Sequence, residues 1–108
     1  MTSEQSNLEI VDRSDGKATA RLSGDLDIVT SEEVKRDLAQ LIDDGNDELA
    51  LDLSGVGFVD SSGLGVLVAV HRHAQSQGAA FVVRSVPPQV QRLFEITRLG
   101  DLLTVDAD

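Results

Sequence analysis

The apolar positions of this chain change period along its length, and each change marks an element. Leu8–Val11 and Ala18–Leu22 alternate apolar with polar residues on either side of Ser14-Asp15-Gly16, the pattern of two strands joined by a glycine-containing hairpin turn. Gly24-Asp25-Leu26-Asp27 then reads as a short acidic connection. Thr30 followed by Glu33 has the spacing of a capping box, in which hydroxyl and carboxylate satisfy backbone donors at a helix start. Val34, Leu38, Leu41 and Ile42 continue at helical spacing, and Gly45 supplies a stop. Leu49–Leu53 is a short apolar strand. A second helix is expected from about Ser61, apolar nearly all round as far as Val70 and polar from His71, a pattern that calls for burial against both a sheet and a neighbouring helix. Ala80–Val83 forms a further buried strand. Pro87-Pro88 opens a third helix that turns Val90, Leu93 and Phe94 inward, Gly100 ends it, and Leu102–Val105 is the last strand.

Strands separated by helices pair in parallel through right-handed crossovers. The expected fold is therefore α/β, a mixed and mostly parallel sheet that starts with a β-hairpin and is flanked by helices. Its 108 residues suit a single domain, 1–108, with a core from about residue 8 to 105. Surface scaling for that mass predicts about 5,800 Å² of accessible area when folded. With 41% apolar and 26% charged residues the composition is that of a globular chain. There is no cysteine, which removes disulfides, thiolate metal sites and cysteine nucleophiles. Met1–Asn7 is polar and unlike a signal peptide, and no apolar run reaches membrane-spanning length, so a soluble cytoplasmic protein is expected.

Charge narrows the classes of partner. Residues 1–60 carry 15 acidic and 5 basic side chains and residues 61–108 carry 4 of each, so the whole net charge of -10 lies in the first part. Such a surface repels the phosphates on which nucleic-acid affinity rests, and only three phenylalanines are available for stacking. No nucleic acid or membrane partner is expected.

Sites of parallel sheets gather beyond the carboxyl ends of strands, where helix amino termini point. The segment Leu53-Ser54-Gly55-Val56-Gly57-Phe58-Val59-Asp60-Ser61-Ser62-Gly63 holds that position, with small residues, two hydroxyls and an acid at a helix start. Gly55-Val56-Gly57 begins like a dinucleotide fingerprint, but Asp60 stands in its third glycine slot, and Gly63-Leu64-Gly65 fails likewise at Val68. A serine hydrolase fails on reach: His71 is ten residues along the helix from Ser61, roughly 15 Å of rise, and His73 is farther. Both histidines, on the polar end of that helix, are expected to be solvated. A magnesium site from Asp25, Asp27 and Asp60 remains open, though no basic residue lies nearby in sequence to steady a transferring phosphoryl group. Simple capping of the helix by Asp60 or Ser61 needs less than the segment supplies.

Four stretches in order, Gly24-Asp25-Leu26-Asp27, Leu51-Asp52-Leu53-Ser54, Phe58-Val59-Asp60-Ser61-Ser62-Gly63-Leu64-Gly65-Val66 and Pro87-Pro88-Gln89-Val90-Gln91-Arg92-Leu93-Phe94, resemble the STAS domain of bacterial anti-sigma factor antagonists. The resemblance runs from about Leu8 to Val105, and the Asp-Ser-Ser-Gly-Leu-Gly segment is its most specific part. It implies partner switching without catalytic activity or cofactor. The unphosphorylated form binds an anti-sigma factor that is also a serine kinase of the GHKL ATPase type, and so frees a sigma factor. Phosphorylation of the serine matching Ser61, with Ser62 as second choice, ends the complex, and a PP2C-type phosphatase restores it. Asp25, Asp27 and Asp60 match positions that line the partner surface, with Ser61, Ser62 and Gly63 beside them. Members of the family commonly continue into a further helix after the last strand, whereas this chain stops three residues past Val105. Weak dimerisation over the apolar surface left there is an expectation. The alternative within the resemblance is a non-switching STAS subunit of a lipid-transport ATPase complex or signalling scaffold.

Overall fold

Two residues with positive φ, Asp15 at 53° and Gly16 at 77°, turn the chain between β1 (Leu8–Ser14) and β2 (Lys17–Leu26). This is the two-residue hairpin whose backbone twist suits antiparallel strands, and it sets Ser14 opposite Lys17. The computed structural model describes residues 7–106, so Met1–Ser6 of the polar amino-terminal stretch lie outside the described residues. After the hairpin come α1 (Ser31–Asp43), β3 (Glu48–Val59), α2 (Ser61–Ser76), β4 (Ala80–Arg84), α3 (Pro88–Thr97), the single turn α4 (Leu99–Leu102) and β5 (Thr104–Val105). The strands lie in the order β1-β2-β3-β4-β5, antiparallel at the hairpin and parallel thereafter. The mixed, mostly parallel sheet is therefore present, and the accessible area of 5819 Å² matches a folded chain of this mass.

The core lies between one sheet face and the helices. Ala18, Ala20 and Leu22 of β2, Leu49, Leu51 and Leu53 of β3, and Phe81 and Val83 of β4 alternate onto that face and are buried. They meet Val34, Leu38 and Leu41 of α1, Val66, Leu67 and Val70 of α2, and Val90 and Phe94 of α3 in one cluster. The opposite face carries a charged row in register, Arg21 of β2, Asp52 of β3 and Arg84 of β4. Arg21 Nε stands 3.8 Å from Asp52 Oδ2, and Arg84 Nε 3.5 Å from Asp106 Oδ2.

Several elements differ from the expectation. The acidic connection 24–27 is strand as far as Leu26, and β3 runs on through Gly55-Val56-Gly57-Phe58 to Val59. Beyond Asp52, where pairing with β4 ends, β2 and β3 continue as a two-stranded ribbon whose register slips between Arg21 and Ser23 and again between Gly24 and Asp25. Those irregularities hide the period of two that would mark a strand. Gly55 serves this ribbon directly, since a Cβ there would come within 2.9 Å of Ser23 Cβ. The capping box does not form, because Thr30 turns its hydroxyl back into the preceding loop. The third helix ends at Thr97 rather than at Gly100, Arg98 taking the left-handed cap at φ 63°, and residues 99–102 make a separate turn. His73 is paired rather than solvated: its Nε2 lies 2.7 Å from Asp43 Oδ1 and ties the last turn of α2 to that of α1.

Candidate functional site

Parallel pairing of β2 and β3 brings two loops together. Leu26 and Val59 are partners, and Asp60 N–H donates to Leu26 O at 3.3 Å, which puts Asp27 and Asp60 side by side where both strands give way to helices. Each acid then organises its own turn. Asp27 Oδ1 accepts from Val29 N–H at 3.0 Å and Thr30 N–H at 3.2 Å, while its carbonyl accepts from Ser31 N–H at 2.8 Å. Thr30 Oγ1 accepts from Asp27 N–H at 3.2 Å and donates to Asp25 O at 3.0 Å, closing the loop ahead of α1. Asp60, in extended backbone, is the N-cap of α2, and its Oδ1 accepts from Gly63 N–H at 3.1 Å.

Gly63 is fixed by packing. A Cβ there would collide with Leu26 O and would lie 2.8 Å from Leu26 Cγ and 2.9 Å from Val59 Cγ1. Only a glycine lets the first turn of α2 sit against the end of the ribbon. That close seat leaves Ser61 exposed at the helix start and Ser62 half-buried. Asp25 is exposed on the face opposite the core, next to Phe58 in the register.

The structure thus brings together all six residues singled out in the sequence, Asp25, Asp27, Asp60, Ser61, Ser62 and Gly63. It does not make them a metal centre, for among the described residues no three His, Asp or Glu side chains could hold an ion together. Neither histidine serves Ser61 as a base, His73 being engaged with Asp43 at the far end of α2. Two clefts open away from the site: one of about 540 Å³ involves Phe94, Arg98 and Val105, and one of about 230 Å³ lies between β1 and α1. An exposed hydroxyl between ordered acids suits a macromolecular partner more than a small substrate. Sequence reasoning missed Thr30 as the clasp of the Asp27 loop. It also passed over the exposure of Ile28, Val29 and Phe58, whose one signal was that they stand outside every helical or alternating register.

The sequence matches the family described as "Mlab, STAS domain" over residues 10–104, and the chain belongs to the STAS domain family. It is similar to the anti-sigma-B factor antagonist of Staphylococcus aureus strain NCTC 8325, 31% identical over 86 residues that make up 80% of each chain. In structure it is similar to an anti-sigma factor antagonist from Mycobacterium paratuberculosis, with a TM-score of 0.80, 24% identity, and coverage of 100% of this chain and 92% of that one. It is also similar to the Bacillus cell fate determinant SpoIIAA in its phosphorylated form, with a TM-score of 0.71, 19% identity, and coverage of 94% and 92%. No helix among the described residues is long and apolar enough to cross a membrane.

Proposed function

We propose that this chain is an anti-sigma factor antagonist that acts in the cytoplasm by binding and has no catalytic activity of its own. Unphosphorylated, it binds an anti-sigma factor that is a serine kinase of the GHKL ATPase type and so releases a sigma factor. The kinase transfers the terminal phosphoryl group of ATP to Ser61 Oγ, leaving ADP, and the complex separates. A PP2C-type phosphatase hydrolyses the phosphoester and restores the binding form. Asp25, Asp27, Asp60, Ser62 and Gly63 shape the docking surface around Ser61.

The observation that carries this reading is the exposed Ser61 hydroxyl at the first turn of a 16-residue helix, between ordered acids. Phosphorylation adds about -1.5 to -2 charge at neutral pH. The amino terminus of α2 tolerates that charge locally, while Asp25, Asp27 and Asp60 make it an addition to an already acidic surface. The fold has no reason to change, so the switch is local.

A paired pull-down from lysate of the native cells tests it, with wild type, Ser61→Ala and Ser61→Asp as baits and captured proteins identified by mass spectrometry. A GHKL-type anti-sigma kinase held by wild type and Ser61→Ala and lost with Ser61→Asp is the expected result. Equal capture of transporter or scaffold subunits by all three baits would replace this reading with a non-switching STAS subunit. Phosphopeptide mapping after incubation with the captured kinase and ATP assigns the acceptor, Ser61 being expected and Ser62 unmodified.

A further inference from the structure

Eight large apolar side chains are exposed among the described residues, and three of them lie in the segments that lead into α1 and α2: Ile28 at 73%, Val29 at 75% and Phe58 at 51%. Single exposed apolar residues are ordinary, but these are not scattered: Ile28 and Val29 stand on the loop after β2, Phe58 near the end of β3, and the pairing of Leu26 with Val59 brings those two chain ends together. Ile28 and Val29 stand on the loop that Asp27 and Thr30 hold in place, so their exposure is imposed by an ordered backbone. Phe58 is held beside Asp25 by the β2–β3 register. Two glycines next to this surface lack a structural reason. Neither Gly57 nor Gly65 has a positive φ, and a Cβ on either meets nothing within 4 Å. Gly65 lies one turn past Ser61 in the exposed part of α2, where a glycine only weakens the helix.

We propose that Ile28, Val29 and Phe58 form the apolar anchor of the docking surface and insert into an apolar patch of the anti-sigma factor framed by lysine and arginine. The proposal rests on the partner-switching reading of Ser61. Segments 25–33 and 54–65 contain five acids, Asp25, Asp27, Glu32, Glu33 and Asp60, and no basic residue; Glu32 is paired at 3.6 Å with Lys35, and the other four remain in excess. A second copy of this chain would set acid against acid, and an anionic membrane or nucleic acid would be repelled in the same way. The occupant that fits is a protein with an apolar centre and a basic rim, the usual layout of an interface in which anchors supply affinity and charges steer encounter. Added negative charge alone would favour a basic partner, so in this reading the loss of binding rests on desolvation. A phosphoryl group on Ser61 would have to lose its water against apolar contacts.

The test uses the full chain and the anti-sigma factor recovered with wild-type bait, purified, with affinity measured by calorimetry across a range of salt concentrations. Phe58→Ala and the double variant Ile28→Ser/Val29→Ser are expected to weaken binding by about tenfold or more while the salt slope and the urea midpoint stay as in wild type. Asp25→Asn is expected to reduce the salt slope. Gly65→Ala is expected to raise the urea midpoint and still weaken binding, a combination that misfolding cannot produce. Ile96→Ser, on α3 and equally exposed, is the control and binds as wild type. Equal binding by the apolar variants would overturn the anchor and leave the partner-switching reading standing. Loss of self-association in those variants, seen by sedimentation, would assign the patch to a second copy and overturn it too. Failure of wild type to capture any anti-sigma factor would remove the functional reading and the anchor with it.

Discussion

Two aspartates one strand apart meet different needs of the chain. The Asp27 carboxylate accepts two amides of its own loop, so Asp27→Asn, which keeps an acceptor oxygen, is expected to retain the loop, and Asp27→Ala to cost about 1 kcal/mol. Urea denaturation of the pair measures the difference. If the carboxylate also meets the partner, Asp27→Asn lowers affinity without lowering stability. At Gly63 the neighbours are backbone and core rather than a flexible tip, so Gly63→Ala is expected to destabilise by about 1–3 kcal/mol. The helix start at Asp60 and Ser61 was legible in the sequence because such a start has a local signature. The roles of Thr30 and Asp27 were not. Thr30 can cap forwards or clasp backwards, and only the nearby carbonyl of Asp25 decides which.

At the scale of elements, the ribbon and the charged row belong together. Asp52 is partly buried, which opposes its charge. The amide and hydroxyl of Ser54 and the guanidiniums of Arg21 and Arg84 outweigh that and hold its carboxyl below the usual value of 3.8. A carboxylate with a depressed folded value contributes stability above its unfolded value, and that stability is lost as pH falls through the folded one. Wild type is therefore expected to lose more stability than Asp52→Asn between pH 5 and the region below 3.8, read as urea midpoints at each pH. Another buried polar group closes α1. Asn46 Nδ2 donates to Leu41 O at 2.7 Å, so Asn46→Leu is expected to cost about 1–3 kcal/mol by leaving that carbonyl unpaired. The hairpin, α1, α2 and β4 could be read from period and turn residues. The extension of β2 and β3 could not, because two register slips and the glycines of 55–57 erase alternation where the strand leaves β4.

Across the whole molecule, Ser61, the proposed switch residue, stands apart from what holds the fold. Ser61 is exposed at a helix start that favours negative charge, and its neighbour Asp60 already supplies the cap. Ser61→Asp is expected to leave the unfolding free energy within about 0.5 kcal/mol of wild type while abolishing partner binding, which thermal melts and calorimetry check together. A large loss of stability would mean that binding fails through the fold rather than through the surface. The sequence by itself determined the α/β class, the hairpin, the acidic character of the first sixty residues and the helix-start serine, because these follow from local periodicity, turn chemistry and charge. Tertiary structure alone decided that the loop of Asp25 and Asp27 lies beside Asp60, that Gly63 admits no side chain, and that Ile28, Val29 and Phe58 face solvent. Each of these depends on how β2 and β3 register against one another, and strand register is a contact between distant parts of the chain that no local pattern encodes.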